Sequence, residues 1–480
     1  MTLETRSLHE EFIRTFYKLI QLAKIHEDNN QMLLECIKEF MQVIRLLVDD
    51  DHITLQISRG NIYLQDEKLR YRRETDSLTN NLFRYLEKRN LSGLCFLSDI
   101  QDASAKEIID FSRTLNTAEQ QEDPLKWFVQ ELENQGVAWV EVVYEQDAPP
   151  EEHPPETDPQ DQIKKRKERA RKSYFCALDS LTEVAEKISY QKKVGVRKSL
   201  RVIQNMVDLV MEDEPILLGL STIRDYDDYT FTHSVNVAIL SMCLGQRIGL
   251  SRTSLHRLGV CGLFHDLGKL DIPIEIINQA GKLNQSEFEE IKKHTIHSVA
   301  QIIKLEAPHD LKAKILLPPF EHHLKYDLSG YPKTNRKKSV SLFGRIIALA
   351  DVFDAITSAR VYRNIAFTPD QALNILLDGA GTDFDPILLK IFINMLGVYP
   401  IGSLLELDTG ELALVMETDK TSDGARPMVA LLASDGNGDY VKVGVADLAE
   451  RDAQSGAFRR NIVKSIHPST LGIQPAEFLI

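Results

Sequence analysis

Eight of the chain's thirteen histidines fall between His233 and His323, interleaved with aspartates and a lysine. In GLFHDLGK, His265 and Asp266 are adjacent, offering an imidazole nitrogen beside a carboxylate able to bridge two cations. Spacing predicts one helix turn here, with Lys269 on the face of His265, where its ammonium could meet a phosphate oxygen. Upstream, YTFTHSVNVAIL sets His233 at the start of a helical run. Downstream, EIKKHTIHSVAQII supplies His294 and His297 at i,i+3, and FEHHLKYDLSGYP gives the pair His322 and His323 before a turn. GRIIALADVFDAITSARVYR puts Asp351 and Asp354 on one helix face, with Arg360 and Arg363 beyond. A lone His-Asp dipeptide or a single buried histidine is more often packing than ligand. The ordered series in one helical segment is instead a set of nitrogen and oxygen donors suited to two divalent cations such as iron or manganese. No cysteine joins the donors, so a closed structural zinc site is not expected.

Taken in order, HDLGK, the His322-His323 pair, Gly330-Tyr331-Pro332 and LADVFDAITSARVYR resemble the HD-GYP subgroup of the HD phosphohydrolase superfamily, over roughly residues 220–395. The resemblance implies an all-helical domain around a centre of two or three metals, often iron or manganese, that hydrolyses cyclic-di-GMP. It implies His233, His265, Asp266, His294, His322, His323 and Asp351 as metal ligands, with Asp266 and Lys269 counted as catalytic. Lys269, Arg360 and Arg363 fall where the family contacts substrate phosphates and guanines, and Gly330, Tyr331 and Pro332 where it forms the lip of the pocket. Two positions depart from the family: Leu324 stands where Glu is usual, and Leu328 where Gly is usual. Some trinuclear members carry Glu four residues before the first histidine, and here that residue is Tyr229. Two metal ions are therefore expected rather than three, with Asp228 a further candidate ligand.

The expected activity is metal-dependent hydrolysis of cyclic-di-GMP to pGpG and onward to GMP. Water activated between two cations would attack phosphorus in line, with Lys269 supporting the charge that builds on the phosphate. Two other readings stay open. One is a signalling module that binds the nucleotide without turnover, for which Leu324 is the feature; the other is an HD phosphohydrolase acting on another nucleotide. His297, His256 and His309 are expected at the surface or in packing, and Asp354 as a hydrogen-bond partner within the site.

The elements that must position these residues divide the chain into parts, as 480 residues exceed one core. Residues 1–145 mix helices and strands: helical spacing over 10–48, a β-hairpin about Arg59-Gly60-Asn61, and strands in GLCFLS and AWVEVVYE. This predicts an N-terminal α/β domain, sensory by its position, with Trp127 and Trp139 in its core. Residues 146–172 read as a Pro-rich acidic linker and the start of a basic helix, KKRKERARK. Residues 173–397 form the all-α HD-type catalytic domain, and 398–480 a small C-terminal β domain, barrel-like in its short alternating runs.

Composition narrows the function classes. At 43% apolar and 27% charged, the chain predicts a soluble multidomain protein. Five widely spaced cysteines without a CxxC pair predict free thiols in a reducing cytoplasm. A net charge of −14 argues against DNA or RNA as partner, while leaving room for a phosphate ligand held by a few local cations. No apolar run is long enough to span a membrane, and the N-terminus shows no secretory signal pattern. The expected partners are a cyclic dinucleotide, a protein met through the N- or C-terminal domain, and a second copy of the chain through the helix after the linker.

Overall fold

The computed structural model describes residues 3–47, 52–58, 61–64, 67–69, 76–137, 139–143, 159–190, 194–223, 229–279, 281, 283–307, 309–335, 338–358, 367–417, 425–435 and 439–479. Arg59-Gly60, most of the acidic linker, Asp228, Arg360 and Arg363 lie outside the described residues. The chain divides into two compact units, residues 1–156 and 157–480.

In the first unit the order is α1 (Leu3–Ile25), α2 (Gln31–Leu47), β1 (His52–Ser58), β2 (Asn61–Leu64), β3 (Glu67–Lys68), α3 (Asp76–Glu87), β4 (Gly93–Leu97), α4 (Ala105–Ala118), α5 (Pro124–Asn134) and β5 (Val140–Val143). The strands form one antiparallel sheet in the order β3-β2-β1-β4-β5. The alternating runs about Arg59-Gly60 pair as a hairpin, with Ser58 opposite Asn61. Phe12, Phe16, Phe40 and Phe96 pack in mutual ring contact, so helices α1 and α2 meet β4 through a shared aromatic cluster. Trp139 is buried in this core and Trp127 packs against it, half-buried.

The second unit opens with α6 (Pro159–Ser189), which runs straight through the basic stretch. Its polar side is laced by ion pairs such as Arg169–Glu212 and Lys187–Glu183, while Ala170, Tyr174, Ala177 and Leu181 face the core. There follow α7 (Arg197–Leu220), α8 (Tyr229–Arg247), α9 (Arg252–Phe264), α10 (Ile274–Ile277), α11 (Gln285–Lys292), α12 (His294–Lys304), α13 (His309–Ile315), α14 (Leu317–Glu321), α15 (Leu342–Thr357), α16 (Pro369–Asp378) and α17 (Pro386–Leu396). Helix α7 is kinked at Asp213, two residues before Pro215, whose ring and missing N–H break the helical ladder. Helices α8 and α15 are buried on most sides, as helices at the centre of a bundle are.

Strands β6 (Leu404–Leu407), β7 (Leu412–Glu417), β8 (Met428–Ser434), β9 (Tyr440–Asp447) and β10 (Ile462–Ile466), then α18 (Pro475–Leu479), complete the chain. The sheet order is β10-β6-β7-β8-β9, and among the described residues the two end strands do not pair. The alternation in the sequence suggested a barrel-like module, whereas the strands make an open antiparallel sheet. Its inner residues Leu404, Leu414, Ala430 and Leu432 join the apolar core of the helices, and Leu405, Val415 and Val429 form a small core on the other face. The protein is thus mostly helical, with separate small antiparallel sheets towards its two ends. No described helix is long and apolar enough to cross a membrane.

Candidate metal centre

Local chemistry at three helix ends sets the site. His265 follows the last residue of α9, His294 stands just beyond α11, and His322 follows α14. The final carbonyls of a helix lack an intrahelical donor. Each of these histidines supplies one: Nδ1–H of His265 donates to the Gly262 carbonyl at 2.7 Å, that of His294 to Ile291 at 2.7 Å, and that of His322 to Pro319 at 2.6 Å. A carbonyl can only accept, so in the neutral rings all three Nε2 atoms are left as lone-pair donors to a metal. The negative ends of α9 and α14 lie beside His265 and His322, which favours cations there.

The fourth imidazole is fixed differently. His233, on α8, donates Nδ1–H to Asp354 Oδ2 on α15 at 2.8 Å, and its Nε2 lies 3.0 Å from Asp351 Oδ1, one helical turn earlier. Asn236 holds the other oxygen of Asp354 at 3.1 Å and is itself held by the Tyr174 hydroxyl at 3.0 Å. A buried chain therefore runs from Tyr174 on α6 through Asn236 and Asp354 to His233.

Asp266 stands at the centre. Its Oδ1 lies 3.4 Å from His294 Nε2 and 3.9 Å from His322 Nε2, and its Oδ2 lies 3.2 Å from His265 Nε2 and 3.8 Å from His233 Nε2. Asp351 lies 3.9 Å from His265 Nε2 and 3.8 Å from His323 Nδ1. Donor atoms of His294, His322 and His323, of His233, His265 and Asp351, and of His265, Asp266 and His322 fall into three groups, each within 4.8 Å. All seven residues expected to bind metal are brought together.

Several contacts fit a site built for cations. His294 Nε2 and His322 Nε2 face each other at 3.2 Å although both carry lone pairs. His265 Nε2 and Asp266 Oδ1 are buried with no hydrogen-bond partner among the described residues. Leaving such atoms unsatisfied costs about 1–3 kcal/mol each, and a cation among them removes that cost. The donor set, imidazole nitrogens and carboxylates without thiolate, fits hard or borderline divalent ions.

Electrostatics tells the same story. Burial alone would push the pKa of Asp266 up, yet the surrounding His265, Lys269 and His294 hold it well below the ordinary carboxylate range. Asp351 is likewise held far down against burial, by its hydrogen bond to His233 and by the neighbouring imidazoles. Burial lowers the pKa of His294 and lowers that of His322 further, and it brings His323 down to about 3, so these rings stay neutral. His233 goes the other way: burial opposes its charge, but the hydrogen bonds to Asp351 and Asp354 prevail and raise it.

GLFHDLGK is not one helix. The helix stops at Phe264, and Leu267–Asp271 is a 3₁₀ turn. Lys269 consequently pairs with Asp266 Oδ2, a quarter exposed at the edge of the cluster. Gly268 lets this turn lie directly on α12, since a Cβ there would stand 2.0 Å from the His294 carbonyl oxygen. Ser298 locks the contact, donating to the His265 carbonyl and accepting from the Gly268 N–H, both at 2.8 Å.

The loop after the histidine pair folds back over the site. Tyr331 N–H donates to the His323 carbonyl at 3.1 Å, and the Tyr331 ring lies over His323 with centroids 4.7 Å apart. Gly330 makes this close return, its missing Cβ falling 2.1 Å from the His323 carbonyl oxygen. The Tyr331-Pro332 bond is cis. Leu328 has φ +68°, the left-handed region that glycine occupies without strain. Leu324 is buried as a packing residue.

His297 sits beside the cluster, 3.7 Å from Asp271; His256 bonds the Leu200 carbonyl at 2.9 Å; His309 is exposed. Tyr174, Asn236, Ser298 and the buried Glu321, which accepts from the Ser341 N–H at 2.9 Å at the start of α15, were not singled out from the sequence. An asparagine or glutamate inside an otherwise apolar run was the available signal.

Residues 206–388 match the HD domain family. Over 208 residues the chain is 32% identical to a cyclic di-GMP phosphodiesterase of Pseudomonas aeruginosa, covering 43% of this chain and 49% of that one. It is 28% identical over 260 residues to a cyclic di-GMP phosphodiesterase of Borreliella burgdorferi, covering 54% and 67%. With a 3′3′-cGAMP-specific phosphodiesterase of Vibrio cholerae it shares 32% identity over 39% of each chain. The chain thus spans about half the length of the Pseudomonas relative.

Proposed function

Because the chain belongs to the HD-GYP branch of the HD domain family, we propose that it is a metal-dependent phosphodiesterase of cyclic dinucleotides, with cyclic-di-GMP the first substrate to test. The observation that carries this reading is the convergence of four imidazole Nε2 atoms on the carboxylates of Asp266 and Asp351, with His323 beside them.

Two divalent ions, iron or manganese, would be held by His233, His265, Asp266, His294, His322, His323 and Asp351; when bound they supply a lowered pKa for water and positive charge for phosphate oxygens. The protein's own part is to aim and to exclude. The three helix-end histidines keep Nε2 inward because Nδ1–H is committed to a carbonyl. Asp354 does the same for His233, and it favours any positive charge gained there. Lys269, paired with Asp266 at the edge of the cluster, can turn its ammonium to a substrate phosphate. Tyr331 lies over His323 as a lid on one side, leaving an aromatic face for a base. Arg360 and Arg363 are proposed as further phosphate or guanine contacts, from the resemblance of their segment to the family.

A second cyclic dinucleotide, 3′3′-cGAMP, has a specific ground: it is the substrate in the name of one relative. The domain roles are proposals of position. The unit 1–156 would receive a signal or a protein partner, α6 would be the dimer contact, and the chain would work in the cytoplasm. The deciding experiment is anaerobic purification, metal quantification, and incubation with cyclic-di-GMP and 3′3′-cGAMP, with products followed by chromatography. Formation of pGpG or GMP that is lost in the double variant His265→Ala, Asp266→Ala supports the reading. Stoichiometric metal with tight nucleotide binding and no product would show a binding module instead.

A further inference from the structure

Behind His233, on the side turned away from Asp266, lies a cavity of about 220 Å³ that none of this chemistry uses. Helices α8 and α15 form one wall, and residues 400–402 and 467–475 of the C-terminal region form the other. Most of the lining is apolar and buried, with Leu240, Phe353, Ile401 and Ile473 as its body. Thr232, the His233–Asp354 pair, Asn236 and Thr357 supply polar groups from the helices, and His467 one from the C-terminal region. Thr232 is 2% exposed, and its hydroxyl has no hydrogen-bond partner among the described residues.

The size and lining define what fits. An apolar cavity of about 150 Å³ already takes a benzene ring, so this one has room for about ten non-hydrogen atoms. A full charge on a ligand would lose its hydration against the apolar wall without an equal return. An anion would in addition face the carboxylate of Asp354. A single hydroxyl or N–H, by contrast, would satisfy Thr232.

We propose that this cavity binds a neutral, largely apolar molecule of about ten non-hydrogen atoms carrying one hydroxyl or N–H, and that its occupancy tightens metal binding through His233 and Asp354. The coupling follows from shared parts. The ligand packs on the rear of the pair whose front serves the metal centre, so ordering by one lowers the ordering cost of the other.

Indole is a suitable probe, and titration calorimetry on the full chain the measurement. The expected result is saturable 1:1 binding, weakened about tenfold by Thr232→Val and abolished by Ile473→Trp, which fills the cavity. Mn²⁺ affinity, titrated with and without saturating indole, should rise about fivefold, at the low end of usual couplings. Should Ile473→Trp fold poorly, Ile401→Phe fills the same space from a different segment. Absence of saturable indole binding, indole binding that survives a folded cavity-filling variant, or equal Mn²⁺ affinities in both conditions would overturn the proposal. None of these readouts depends on nucleotide hydrolysis.

Discussion

Asp354 stands directly behind His233: its Oδ2 takes the Nδ1–H at 2.8 Å, while the same ring's Nε2 reaches 3.0 Å to Asp351 on the other side. One carboxylate of α15 thus aims the imidazole and another, one turn away, lies among the clustered donor atoms. The arrangement separates positioning from ligation within three residues, and variants can test that separation.

Asp354→Ala should lower metal affinity by about 10–100-fold, the usual effect of losing an outer carboxylate partner. Asp354→Asn, which can still accept the Nδ1–H, should lose less. Titration of the metal-free chain with Mn²⁺ checks both; equal losses in the two variants would mean that charge rather than aim is what matters.

Tyr174→Phe removes the hydroxyl that holds Asn236. It leaves a buried amide oxygen short of a donor, so stability should fall by about 1–3 kcal/mol. Urea unfolding measures this, and an unchanged midpoint would remove Tyr174 from the buried chain.

Two substitutions in the Gly-Tyr-Pro loop should act in opposite directions. Leu328→Gly relieves a left-handed residue worth about 1–2 kcal/mol of strain and returns about half as much as chain entropy, for a net gain of up to about 1 kcal/mol. Gly330→Ala drives a Cβ into the His323 carbonyl and should cost about 1–3 kcal/mol while displacing Tyr331. Thermal melting of the two variants should bracket the parent chain.

Acid should destabilise the metal-free protein, beginning near pH 6.5. His294, His322 and His323 have folded-state pKa values below the ordinary 6.5, that of His323 at about 3. Between these limits the unfolded chain binds more protons, so stability falls as the pH drops through that window. Asp266 and Asp351, depressed below 3.8, add a further loss at lower pH. His233, with its raised pKa, acts in the opposite sense and stabilises on the acid side. Three lowered rings against one raised ring predict a lower urea midpoint at pH 4.5 than at pH 7; a flat profile would refute it.

Much of this was legible in the chain because ligand chemistry is carried by residue type. His265, Asp266, His322, His323 and Asp351 can be picked out by what they are and how they recur. What cannot be read is how each is held. Periodicity carries GLFHDLGK on as helix, whereas the helix stops at Phe264 and Gly268 lets a 3₁₀ turn lie against α12, a contact 30 residues away through Ser298. Tyr174 and Asn236 look like packing in sequence, because the bond between them joins positions 62 apart. The C-terminal strands show the same limit: alternation marks which residues are extended but not whether the outer strands meet, and among the described residues they do not pair.

The three helix-end histidines carry a kinetic consequence. Each is aimed by a carbonyl in the last turn of the element before it, the part of a helix that frays most readily. Release of a bound ion is then predicted to go through the opening of single turns at the ends of α9, α11 and α14, with the surrounding bundle still folded. Amide exchange at those turns, far faster than in the body of α8, would mark the door by which a cation leaves.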